Sequence, residues 1–408
     1  MVGKVGPDNH SPGPADPWVP GLRHPGLRAT LRPMTLERST KKVLDGERLT
    51  PDEGLTLYRE AELPLLGMLA DETRRRVRVG RDERVVTYII DRNVNPTNVC
   101  VTDCTFCAFY RRPGDPEAYV LPLEAIYKKI DELVAVGGIQ LLLQGGHHHE
   151  LKTAWFAELF RNIKARYPQI WIHGMSPPEI VHLAHLDKQP VRWVIRELRD
   201  AGLDSIPGGG AEILVDRVRD IIARKKATTK EWLGVMREAG ELGLRTTATM
   251  MFGHVETDAE RIEHLVRLRE LQDECGVFTA FIPWTFQPDH TPMAEAWSKS
   301  HTKATSAEYL RMLALARIFL DNIENVQSSW VTQGIKVCQI GLAMGANDFG
   351  SAMLEENVVS SAGCDNMTSI DQIERHIRDA GFEPRRRNML YQDVDERGKP
   401  VVAAGAMA

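Results

Sequence analysis

The stretch Val85-Val86-Thr87-Tyr88-Ile89-Ile90 runs, ten residues later, into Cys100-Val-Thr-Asp-Cys104-Thr-Phe-Cys107. The first run is β-branched and aromatic enough to predict a first central strand. Three thiols then fall in the loop beyond its carboxyl end, where parallel α/β folds keep their chemistry. Downstream the pattern alternates. Short apolar strands are expected at 139–143, 170–172, 204–206, 245–252 and 277–282, with helices at 123–136, 155–167, 178–185, 191–201, 212–223, 230–242, 261–275 and 308–321. Two last strands are expected at 325–330 and 347–349, with a helix at 335–343 between them. Buried continuous strands alternating with longer helices imply parallel βα units. Six to eight units in roughly 270 residues fit an α/β fold of the TIM-type (βα) barrel kind. They fit a doubly wound sheet less well, because an early Gly-x-Gly-x-x-Gly turn is missing.

Upstream, Thr50-Pro51-Asp52-Glu53 combines an N-cap, a proline at the first helical position and a capping-box glutamate. A helix should follow, then another over 63–76. Residues 1–34, with seven prolines and five glycines, read as a disordered leader. The organisation expected is therefore a leader (1–34), an N-terminal helical segment (35–84), a barrel core (85–322) and a C-terminal segment completing or capping it (323–408). The 408 residues are 43% hydrophobic and 26% charged, which excludes wholesale disorder. A net charge of −5 argues against nucleic acid as the main partner. No apolar run reaches about 18 residues and no signal-peptide pattern opens the chain, so no membrane is expected and the cytoplasm is.

Six cysteines in a chain this long are not a disulfide framework. Three thiolates as close as Cys100, Cys104 and Cys107 can ligate three irons of a cubane cluster and leave the fourth iron open to a cofactor. Zinc is the alternative, but a structural zinc site wants four closed ligands. Cys275, Cys338 and Cys364 lie 63 and 26 residues apart and read as small buried hydrophobes.

The spacing CxxxCxxC, with aromatic Phe106 before the third cysteine, resembles the radical S-adenosylmethionine (SAM) superfamily. The flanks Asn95-Pro96-Thr97-Asn98-Val99 and Ala108-Phe109-Tyr110 are similar to the branch that holds the futalosine-pathway enzymes of menaquinone biosynthesis and the deazaflavin-forming synthases. The phrases 107–114, 143–148, 246–257, 278–288 and 355–359 resemble the cyclic dehypoxanthine futalosine synthases most. His149-Glu150 departs from that family, which continues Pro-Asp. The resemblance covers roughly residues 40–395. It implies a 4Fe-4S cluster on Cys100, Cys104 and Cys107, with SAM chelating the open iron. It also implies that a 5′-deoxyadenosyl radical takes hydrogen from the ribose 4′ carbon of dehypoxanthine futalosine, whose carbon radical then adds to the benzoate ring. An electron donor such as flavodoxin or ferredoxin is implied too. The same resemblance leaves aminofutalosine synthase as the nearer alternative. From another class, a zinc-binding interaction protein remains.

Around the cofactor, Gly145 and Gly146 end the second strand, where bare backbone lets a ligand approach. The resemblance gives them the methionyl amino group, with His147 beside them. Ser176-Pro177-Pro178-Glu179 is explained as a helix N-cap, with a further possible contact to nucleoside or substrate. In Pro207-Gly-Gly-Gly-Ala-Glu212, the resemblance gives Glu212 the SAM ribose and Arg217 or Arg219 the carboxylate. For each arginine an exposed helix face explains the residue equally well. His254 and Glu256 are expected at the mouth as proton acceptors, Arg111 or Arg112 as partners for the benzoate, and Pro283–Pro288 as a wall for an aromatic ring or simply a rigid loop.

Overall fold

The computed structural model describes residues 35–78 and 80–401; the expected leader lies outside them. Three helices, Leu36–Asp45, Pro51–Glu60 and Leu63–Val77, form the N-terminal segment. The second starts as its sequence dictates: Glu53 N donates to Thr50 Oγ1 (3.3 Å) and Thr50 N to Glu53 Oε2 (2.9 Å).

The strands are β1 (Val85–Ile89), β2 (Asp91–Val94), β3 (Gln140–Leu143), β4 (Trp171–Gly174), β5 (Ser205–Ile206), β6 (Arg245–Phe252), β7 (Phe278–Thr285), β8 (Asn325–Val326), β9 (Asp348–Ser351) and β10 (Glu383–Arg386). Strands β2 to β8 form one parallel seven-stranded sheet in chain order. A second parallel sheet has the order β10-β1-β9. Ser328 N donates to Asp348 O (2.9 Å) and Asn347 N to Val326 O (3.1 Å), tying the end of β8 to β9. Since β9 pairs with β1 and β1 leads through Ile90 into β2, the small sheet carries the curved one from its last strand back towards its first. The α/β barrel is thus of the radical SAM kind, a curled parallel half-barrel completed by a short second sheet.

One expectation is corrected. The apolar run 85–90 is the middle strand of the closing sheet, and the first strand of the main sheet is Asp91-Arg92-Asn93-Val94. Its polar side chains hid it from a hydrophobic pattern. Those side chains are polar for a reason: Asp91 and Asn93 face a hollow interior, with Gln140, His173, Thr247 and Thr249 from β3, β4 and β6. A TIM barrel ordinarily fills this space with Val, Ile and Leu. Here it remains a chamber of about 260 Å³. The apolar core lies instead outside the strands, where helix Ser306–Phe319 buries Tyr309, Leu313 and Phe319 completely.

Candidate active site at the barrel mouth

The loop after β2 crosses the carboxyl ends of the strands and is pinned from several sides. Cys100 N donates to Arg111 O (2.9 Å), Val101 N to His147 O (3.1 Å) and Thr105 N to Ile222 O (2.9 Å). Cys100, Cys104 and Cys107 thereby line one cavity, and all three are free thiols. Burial pushes the Cys104 thiol up to about 12 and raises Cys107 as well. Among the described residues, no group of three or more His, Cys, Asp or Glu side chains is placed to hold a single metal ion. Zinc would need four ligands about 2.3 Å from one point. Three thiols spread along a cavity wall suit a cluster several ångströms across, and the donor set fits a 4Fe-4S group.

Phe106, Gly145, Gly146 and Glu212 line the same cavity. A Cβ on Gly146 would overlap the Val99 carbonyl, and one on Gly145 would sit 2.9 Å from Thr97 O. Bare backbone is therefore required where the glycine turn lies against the cysteine loop. Glu179, first read as a capping residue, does more. It accepts from Ser176 N (2.7 Å) and Ser176 Oγ (2.6 Å), closing its own helix, and also from Gly145 N (2.9 Å). His147 is buried on the cavity wall and stacked on His182, 4.9 Å between ring centroids. Burial holds it neutral.

Glu212 adopts a left-handed backbone (φ 41°) and accepts from Lys226 Nζ (2.7 Å). Burial pushes its carboxyl up, but Lys226 outweighs burial and holds it below the usual range. The ammonium of Lys226 also stands over the Phe106 ring, 5.1 Å from its centroid. Sequence reasoning passed over Lys226, which lies in a basic run with no motif of its own; only the fold returns it to Glu212.

The remaining expectations are corrected. Arg217 lines neither cavity: half exposed, it donates to Glu260 Oε1 (2.6 Å). Arg219 is buried behind the glycine segment and donates to the carbonyls of Gly210 (3.1 Å), Ala211 (2.6 Å) and Ala227 (2.9 Å). His254 and Glu256 also line neither cavity. Glu256 accepts from Gly253 N (2.6 Å), His254 N (2.9 Å) and Arg261 Nε (2.8 Å), with His254 Nδ1 3.0 Å away. Both side chains are wholly buried in this network, which fixes the loop after β6. Arg111 pairs with Glu117 and Arg112 is 72% exposed, both outside the two cavities.

The cysteine cavity adjoins the barrel chamber: Gln144, Gly209, Trp284, Thr332, Val358 and Val359 line both. Three thiols and a glycine turn above a hollow barrel are the working parts of a radical SAM enzyme. Residues 94–268 match the family described as the Radical SAM superfamily, and residues 275–399 the one described as the CofH/MqnC C-terminal region. Among solved structures the chain resembles methylornithine synthase, with a TM-score of 0.66 at 17% identity over 85% of this chain and 97% of that one. Two curated relatives are called cyclic dehypoxanthine futalosine synthase. The one from Halalkalibacterium halodurans is 44% identical, over 88% of this chain and 95% of its own length. The one from Streptomyces coelicolor is 46% identical, over 88% and 90%. The chain belongs to this family of radical SAM enzymes.

Proposed function

We propose that this chain closes a ring within dehypoxanthine futalosine, joining the ribose 4′ carbon to the benzoate ring, as a step of menaquinone biosynthesis. The observation that carries the reading is the near full-length identity to two synthases of that name. When bound, the cluster and SAM supply a 5′-deoxyadenosyl radical that removes one substrate hydrogen. What the chain contributes is position and exclusion of water. Cys100, Cys104 and Cys107 hold the cluster. The turn at Gly145 and Gly146, fixed by Glu179, faces the amino end of SAM, Glu212 takes its ribose hydroxyls, and Phe106 supports Lys226 beside them. The adjoining chamber takes the substrate, and Trp284, at the junction of the two spaces, offers its face to the aromatic ring. Reacting carbons need to lie about 3–3.5 Å apart, which calls for two adjoining spaces such as these, with six lining residues in common. The substrate would lose one hydrogen as an atom, carried off in 5′-deoxyadenosine, and a second as a proton to water plus one electron, which offsets the one electron that cleaving SAM consumes, so no further oxidant is needed.

An electron donor of the flavodoxin or ferredoxin kind, and a cytoplasmic setting, belong to the same proposal. Among the described residues no helix is long and apolar enough to cross a membrane. Dehypoxanthine futalosine deuterated at the ribose 4′ carbon tests the reading. Deuterium should appear in 5′-deoxyadenosine during anaerobic turnover; its complete retention in the product would overturn the assignment.

A further inference from the structure

The polar residues inside the barrel are not explained by cluster or SAM. Asp91 of β2, Gln140 of β3 and His173 of β4 stand on neighbouring strands, and all three line the chamber while being at most 5% exposed. Two of them carry unspent hydrogen-bonding groups. Gln140 Nε2 donates to Asp91 Oδ2 (3.1 Å), but Gln140 Oε1 is buried without a partner. His173 Nδ1 meets Ser205 Oγ at 2.7 Å, and no protein group among the described residues hydrogen-bonds Nε2. Asp91 accepts only from Gln140 and Ser351, leaving lone pairs open, and pairs with no cation. Buried polar atoms are almost always satisfied. Gln140 Oε1 is such an orphan, and with the unbonded Nε2 of His173 and the spare lone pairs of Asp91 beside it the wall points to a ligand that satisfies all three.

The kind of ligand follows from the donor set. The wall offers acceptors at Asp91 and Gln140. At His173 Nε2 it offers a donor or an acceptor according to tautomer. A carboxylate, which only accepts, is poorly served. Arg387 is the one cation among the described residues lining the chamber, and it is already bound to Asp348 through Nε (2.6 Å) and Nη2 (2.8 Å). A hydroxyl both donates and accepts, so it can complete Gln140 Oε1 or Asp91 on one side and His173 Nε2 on the other. Two adjacent hydroxyls complete the wall.

We infer that Asp91, Gln140 and His173 form a subsite for vicinal hydroxyls of the substrate's sugar, which holds those hydroxyls against the wall and turns the 4′ carbon towards Trp284 and the mouth. This rests on the ring-closure reading and adds an orientation to it. The test compares dehypoxanthine futalosine with its 2-deoxy and 3-deoxy ribose analogues, in binding calorimetry without SAM and in anaerobic turnover. One lost hydrogen bond to a buried group is worth about 10- to 100-fold. The intact protein should bind at least one deoxy analogue weaker by that factor. His173→Phe, which leaves Ser205 Oγ its bond from Trp171, should bind the full substrate as weakly as the intact protein binds that analogue. It should also lose little more when given the analogue itself. Equal binding of all three compounds by the intact protein overturns the subsite, and this comparison needs no variant. So does a His173→Phe protein that loses the same factor for every compound. Binding that discriminates the hydroxyls without any cyclised product would leave the subsite standing and sink the ring-closure reading alone.

Discussion

At the scale of single residues, Asp91 shows what a hollow barrel costs. Burial pushes its carboxyl up to about 6, from an ordinary 3.8, because its two hydrogen bonds do not replace water. A carboxyl raised by folding stabilises the fold while protonated, and that contribution is lost as pH rises through about 6. Asp91→Asn removes the titration and suits its neighbours, since Gln140 can turn its orphaned Oε1 to the new amide. The variant's stability advantage should therefore grow by about 1–2 kcal/mol between pH 5 and pH 8. Anaerobic melting at the two pH values checks it; a difference independent of pH would show that Asp91 is not titrating. Asp91 was invisible in the sequence for the same reason that it matters. Its neighbours Gln140 and His173 come from other strands, 49 and 82 positions away, whereas Cys100, Cys104 and Cys107 were legible because a cluster's ligands can be local. His254 and Glu256 mark the opposite failure. Chain position placed them at the mouth, but side-chain direction turned them into the buried network with Arg261.

At the scale of elements, Glu179 joins two structures with one carboxylate. It caps helix Pro177–Asp187 and holds the Gly145 amide of the turn after β3. The capping half was readable from Ser-Pro-Pro-Glu; the other half needed β3 and β4 to be neighbours. Glu179→Ala should raise the KM for SAM about tenfold, the value of one hydrogen bond to a charged acceptor, while iron content stays unchanged. An unaltered KM would reduce Glu179 to a helix cap. The C-terminal elements make a second case. Arg387, just beyond β10, meets Asp348 of β9 in a buried pair that also accepts from Thr87 Oγ1 of β1 (2.6 Å). Arg387→Ala strands a buried carboxylate and should cost about 3–5 kcal/mol. Arg387→Met with Asp348→Asn should cost clearly less, as measured by urea unfolding. Equal losses in the two proteins would mean that the charge pair is not what holds the small sheet. Strand β10 carries no strand pattern in Glu-Pro-Arg-Arg; it is held on β1 by backbone pairing and by Arg386 Nε donating to Tyr88 Oη (3.0 Å).

At the scale of the whole molecule, the alternation of strands and helices was enough to place a parallel barrel, but not to show that it is hollow or how it closes. Both depend on the last part of the chain. Asp348 and Asn347 link β8 to the closing sheet, and Met353, Val359, Arg387 and Tyr391 wall the chamber below the cysteines. The C-terminal part of the chain thus contributes to the chamber wall, and residues 275–399 match a family region of their own. Cluster ligands above and, as proposed, a chamber for the substrate below are an arrangement suited to radical chemistry kept from water. It leaves open a choice between closing a ring in one substrate and adding the adenosyl group to another. Mass spectrometry after anaerobic turnover of the reconstituted protein with SAM, a reductant and dehypoxanthine futalosine makes that choice. The expected product is two hydrogens lighter than the substrate and is formed together with free 5′-deoxyadenosine. Incorporation of the adenosyl group into product, or no change in substrate mass while SAM is consumed, would contradict it.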